Sequence, residues 1–186
     1  MILEKLRKVS FFFVKFKVGN KKDGFQWMLV SVYGAARQQY KDTFLTELVQ
    51  LCTKETLPIL IGGDFNIICG PHEKNSANFS DRLPFLLNAI IDAFNLRELE
   101  LPGRQFTWAN KLQVPTFEKL DKMFSCTEWE LKFLHTTVQA LTREISDHTP
   151  LFLYTGAATS VNNQAPFKFE LGWLLGDGFF DMVKEI

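Results

Sequence analysis

The stretch that most constrains this chain is Pro58-Ile59-Leu60-Ile61-Gly62-Gly63-Asp64-Phe65-Asn66. Its unbroken apolar run predicts a strand buried on both faces, because a strand with one wet face would alternate. Two covered faces need material packed on each side, which calls for a layered architecture. After two glycines the run turns polar. In an extended chain alternate side chains share a face, so Asp64 and Asn66 project together while Phe65 returns to the core. A carboxylate and an amide at a strand end can orient a water and a phosphate oxygen. The same two residue types also suit an Asx-turn that simply ends the strand.

The flanking sequence supplies the layers. "VSFFFVKFKVG" and "FQWMLVSVYG" are rich in strand formers and are joined by "NKKDG", so they predict a hairpin. Phe44, Leu45, Leu48, Leu51 and Cys52 recur at helical spacing between Tyr40 and the central strand. Beyond the polar loop "CGPHEKNSANFS", Ser80 is expected to cap a second helix from Asp81, with Leu83, Leu86, Leu87, Ile90, Ile91 and Phe94 on its apolar face. Pro84 falls in the first turn, where a missing N–H is tolerated. "LPGRQFTWAN" and "FEKLDKMFSC" predict strands joined by "KLQVPT". A short helix is expected over 128–133, and "TTVQAL" and "PLFLYT" predict the last strands. Residues 1–155 form one expected domain, 156–166 have linker composition, and 167–186 form an apolar, glycine-broken tail.

Charge narrows the function classes. Lys plus Arg and Asp plus Glu both total 21, so a long-range basic field for nucleic acid is excluded and any phosphate contact must be local. Cys52, Cys69 and Cys126 lack zinc or disulfide spacing and predict reduced thiols in an intracellular protein. The apolar start is interrupted by Lys15 and Lys17, which excludes a signal h-region, and no run approaches a membrane span.

Two further segments carry candidate chemistry. In "SDHTP" (146–150), Asp147 offers a metal ligand beside His148, a base or phosphate-binding imidazole; a polar turn before a strand would read the same way. In "KLDKMF" (119–124), Asp121 interrupts an apolar alternation and needs a partner if buried. His148 is one choice, and Lys119 or Lys122 the bland alternative.

Taken in order, "VYG" (32–34), "GGDFN" (62–66), "FTWAN" (106–110), "KLDKMF" and "SDHTPL" resemble the endonuclease/exonuclease/phosphatase superfamily, most closely the endonuclease domain of plant LINE-type (non-LTR) retrotransposons. The resemblance runs from about Phe25 to the end and includes "PFKFELGWLL", similar to the connector toward a reverse transcriptase. It implies an α/β fold, a four-layer sandwich with two mixed β-sheets, and hydrolysis of DNA phosphodiesters with Mg²⁺ or Mn²⁺. By resemblance Tyr33 contacts the scissile phosphate, Asp64 orients or deprotonates water, and Asn66 holds water and phosphate. Asp147 lies at the metal, His148 binds the phosphate, and Asp121 orients the imidazole. Thr107 and Ser146 support the site. By resemblance residues 111–118 form the hairpin loop presented to DNA, and Lys111, Lys119 and Lys122 are the candidate nucleic-acid-binding cations. The implied location is nuclear, although no basic import signal is present.

The match departs at the start. The family carries an Asn strand and a metal-binding Glu strand far ahead of the tyrosine, and neither has a counterpart here; Glu4 sits in an unrelated context. The expectation is an N-terminally truncated domain of partial sandwich, with weak or no turnover and poor metal retention. A catalytically silent remnant that binds nucleic acid or protein is the alternative. "VYGAA" also lacks the proline usual after the glycine.

Overall fold

The computed structural model of the chain describes residues 2–6, 10–143 and 145–156. The expected linker, from residue 157 onward, and the tail lie outside the described residues. A six-stranded mixed sheet organises the rest. Strands β1 (Ile2–Leu6), β2 (Phe13–Gly19) and β3 (Gln26–Tyr33) form an antiparallel meander, which includes the expected hairpin. Helix α1 (Lys41–Lys54) crosses over to β4 (Ile59–Asp64), which pairs parallel to β3. Helix α2 (Arg82–Ala93) leads to the short β5 (Leu96–Glu98), and a ribbon follows, β6 (Trp108–Ala109) with β7 (Phe117–Glu118). Strand β8 (Asp121–Cys126) then inserts antiparallel between β4 and β5, giving the order β1-β2-β3-β4-β8-β5. Helix α3 (Thr127–Lys132) and the antiparallel pair β9 (Thr137–Ala140) and β10 (Leu151–Tyr154) complete the described residues.

The α/β expectation holds, and so does the two-sided burial of β4. Ile59 and Ile61 enter a cluster with Met28, Val30, Val32, Phe44, Leu48 and Leu87, under α1 and α2. Leu60 faces the other way, into a cluster with Val18, Trp27 and Trp129, with Leu153 of β10 packed against it. Each such side chain contributes about 1.5–3 kcal/mol on burial, so a one-residue slip of β4 would forfeit both cores. Phe65 extends the first cluster, edge-on to Phe124 at 5.2 Å and to Phe44 at 6.1 Å between ring centres. Besides the six-stranded sheet, the described residues form two separate antiparallel strand pairs, β9–β10 and β6–β7.

Three local expectations are corrected. Ser80 does not cap α2: Asp81 holds the N-cap position with no side-chain cap bond. Three residues on stands Pro84, which lacks the amide such a cap would engage. The single strand expected over 117–126 breaks at Lys119–Leu120, its first part joining the ribbon and its second the main sheet. Finally, Lys122 and Lys119 are not surface cations. Lys122 is fully buried and its ammonium pairs with buried Glu73 at 2.9 Å. Lys119 lies between Glu98 at 2.7 Å and Glu73 at 3.8 Å. Glu73 also accepts the Cys69 backbone N–H at 2.5 Å, tying the loop after β4 to the sheet. The thiols are free, and burial pushes Cys52 and Cys69 up to about 12.

Two stability outcomes follow. Gly63 has φ +140° and a Cβ there would lie 2.2 Å from the Val32 carbonyl oxygen, so Gly63→Ala is expected to cost about 4 kcal/mol or more in urea denaturation. Lys122→Met, which removes the nearer of the two ammonium partners of buried Glu73, is expected to cost about 3 kcal/mol, with much of it recovered in the double variant Glu73→Gln/Lys122→Met.

Candidate active site

Strand register assembles the site. The parallel pairing of β3 with β4 sets Tyr33 opposite Asp64, and the antiparallel pairing of β4 with β8 sets Asp64 opposite Asp121. The side chains of Tyr33, Asp64 and Asp121 therefore stand in a row at one end of adjacent strands. His148 joins them from the segment before β10, held by a bridge to Trp108.

The close approach of β3 and β4 at this end depends on glycine. Gly63 lies against Val32, and a Cβ on Gly34 would meet the Phe65 carbonyl oxygen at 2.4 Å. Gly34 donates its N–H to the Asp64 carbonyl at 2.6 Å. Beyond Phe65 the chain turns at Asn66, whose φ of +51° is left-handed. The Asn66 backbone N–H donates to Asp64 Oδ1 at 2.9 Å, and its side-chain Nδ2 donates to Asp64 Oδ2 at 2.6 Å and to the Gly34 carbonyl at 3.1 Å. The Asx-turn and the polar pair are thus one structure, in which Asn66 orients the nearly buried Asp64 carboxylate.

Asp121 Oδ2 lies 2.9 Å from His148 Nδ1, so the aspartate's partner is the imidazole and not a lysine. The other ring nitrogen faces Asp64 Oδ2 at 3.9 Å. Buried Thr107 accepts the backbone N–H groups of Leu120 and Asp121 at 3.0 and 2.9 Å, fixing the point where the chain enters β8. Ser146 Oγ accepts the His148 backbone N–H at 3.0 Å. Tyr33 projects its phenol outward, 69 % exposed. Lys111 is exposed on the β6–β7 loop.

Asp147 stands apart from this row. Its Oδ2 accepts the Trp108 indole N–H at 3.0 Å, and its backbone carbonyl accepts from Ala109 and Arg143. The ligand atoms that converge are those of Asp64, Asp121 and His148, all within 4.8 Å of one another. Both Asp64 oxygens are engaged by Asn66 and one Asp121 oxygen by His148. A hydrated Mg²⁺ or Mn²⁺ takes one or two carboxylates and keeps several waters. Asp147 is exposed and keeps one oxygen outside its indole bond, but its carboxylate is not among the converging ligand atoms.

The carboxylates are tuned in opposite directions. Burial, reinforced by the Asp121 charge, raises Asp64 above the ordinary carboxylate value even though the Asn66 bonds oppose it. The Trp108 hydrogen bond holds Asp147 below it. Trp108 and Gly34 lie in the "FTWAN" and "VYG" segments, but the sequence assigned neither a role of its own. The indole partner lies 39 residues from Asp147, a separation at which no local pattern could pair them.

By sequence, the chain matches no protein-family model and no curated protein. Its fold does match solved structures. The endonuclease domain of TRAS1, a telomere-specific non-LTR retrotransposon, superimposes with a TM-score of 0.63 at 16% identity, over 81% of this chain and 68% of that one. A 3′ phosphatase, NExo from Neisseria, bound to a product DNA hairpin, gives 0.59 at 14% identity over 78% and 65%. The AP endonuclease LMAP from Leishmania major gives 0.54 at 13% identity over 75% and 53%. The chain thus spans about half to two thirds of the length of these proteins, and it has their DNase I-like α/β fold.

The tuning has a measurable consequence. In ¹³C NMR titrations Asp64 is expected to titrate above 3.8 and Asp147 below it, with Trp108→Phe returning Asp147 toward that ordinary value. Because Asp64 binds its proton more tightly when folded, its contribution to stability is full below the unfolded pKa. That contribution is lost as pH rises through its higher folded value.

Proposed function

We propose that this chain is a divalent-metal-dependent phosphodiesterase domain that acts on DNA, derived from a plant LINE-type retrotransposon endonuclease. The observation that carries this is the ordered row Tyr33, Asp64, Asp121 and His148, with Asn66 bonded to the Asp64 carboxylate. The DNase I-like fold supports it, as does the DNA chemistry named for the neighbours.

Hydrolysis needs a nucleophile in line with the phosphorus and charge stabilisation on the phosphoryl oxygens. Asp64, aimed by Asn66, accepts the water's proton; its raised pKa makes it a better base than an exposed carboxylate. His148, held through Nδ1 by Asp121, presents Nε2 to the phosphate. Tyr33 reaches the same phosphate from the adjacent strand end, and Lys111 steadies the flanking backbone. A metal ion at Asp147 would add charge neutralisation.

Turnover by this chain alone is slow in this proposal. Metal retention is weak in this reading, because the converging Asp64, Asp121 and His148 are already bonded to Asn66 or to one another and leave few free ligand atoms for an ion. The same reading assigns it a place beside a reverse transcriptase, with action in the nucleus.

Supercoiled plasmid with Mg²⁺ or Mn²⁺ tests the proposal. The expected result is slow nicking, removed by chelation and reduced about 100-fold or more by Asp64→Ala or His148→Ala. Nicking that both variants leave unchanged overturns it, and fast nicking by the unmodified chain overturns the slow-turnover part.

A further inference from the structure

Lys41 occupies a position that local energetics disfavours. It is the first residue of α1, where the helix macrodipole is positive and a cation is unfavourable. It is also half-buried, and that burial lowers its pKa despite the opposing charges of Glu118 and Asp64, with Lys74 lowering it further. Its Nζ donates to the backbone carbonyl of Asn66 at 2.6 Å.

That bond meets Asn66 at its one unsupported end. The Asn66 N–H is already held by Asp64 Oδ1, which restrains the entry to the left-handed turn. The carbonyl on the far side sets the exit, and a free carbonyl would let the following peptide unit rotate. With that restraint gone the turn relaxes out of the left-handed region, which residues bearing a Cβ disfavour, and the change in φ carries the side-chain amide off both Asp64 Oδ2 and the Gly34 carbonyl.

We infer that Lys41 is a positioning residue for the hydrolytic site: its ammonium anchors the Asn66 carbonyl, locks the left-handed turn and so keeps the Asn66 amide aimed at the Asp64 carboxylate. The inference rests on the proposed hydrolase reading for its catalytic meaning, while the anchoring itself does not require turnover. Lys41 touches no reacting group, so its effect is on the rate of the bound complex rather than on DNA affinity.

The test combines ¹⁵N-asparagine NMR with nicking kinetics on the full chain. Asn66→Ala identifies the Asn66 side-chain amide signals. In Lys41→Met these signals are expected to move to the positions of a free asparagine. In the same variant kcat falls between about ten- and a hundredfold while KM for DNA stays within about twofold. Lys41→Arg, which keeps a charged donor of similar reach, is expected to restore both. Lys41→Gln replaces Lys41→Met if the latter does not fold. Unmoved Asn66 signals overturn the anchoring, and a raised KM at constant kcat makes Lys41 a DNA contact and overturns the positioning role. If wild-type nicking proves insensitive to Asp64→Ala, the hydrolase reading fails, and the amide signals still decide the anchoring.

Discussion

Lateral pairing at the centre of the sheet is the constraint from which the rest follows. Side chains of β4 alternate between two separate apolar clusters, so its register against β3 and β8 is fixed by burial on both faces at once. That register in turn places Tyr33, Asp64 and Asp121 side by side. The polar row needs no assembly cost of its own, because the apolar core has already ordered the backbone that carries it. Gly63 lets the two backbones approach at that end, where any Cβ would meet the Val32 carbonyl.

A second network stabilises the loop beneath the site by electrostatics instead of apolar contact. Glu73 and Glu98 face Lys122 and Lys119 in a charge-balanced cluster, with the Cys69 backbone N–H also donated to Glu73. Cys69, Glu73 and Glu98 bring ligand-type atoms together, but both carboxylates already have ammonium partners. Burial also keeps the Cys69 thiol protonated. A structural ion cluster accounts for the group better than a metal does, and it fixes the segment that joins the central strand to α2.

Sequence reasoning reached these features unevenly, for physical reasons. Periodicity and residue type were enough for β4, for the face of α1 and for the β2–β3 hairpin, because those signals are local. The partnership of Asp121 with His148 was legible because a strand carboxylate needs a counter-group and the chain holds only three histidines. The fates of Lys119 and Lys122 were not. Their partner Glu73 lies on a loop with no periodic signal, so an interior ion pair and a surface cation look alike in sequence. Asp147 shows the same limit, since its indole partner comes from a distant ribbon.

The left-handed turn at Asn66 makes one residue serve two ends. Its backbone shape is of a kind glycine adopts with ease, but its amide is what addresses the Asp64 carboxylate. Conformation and chemistry can therefore drift apart by a single codon. A chain carrying glycine there would keep the trace of the backbone, and the superposition on the solved structures, while losing the amide that holds the Asp64 carboxylate.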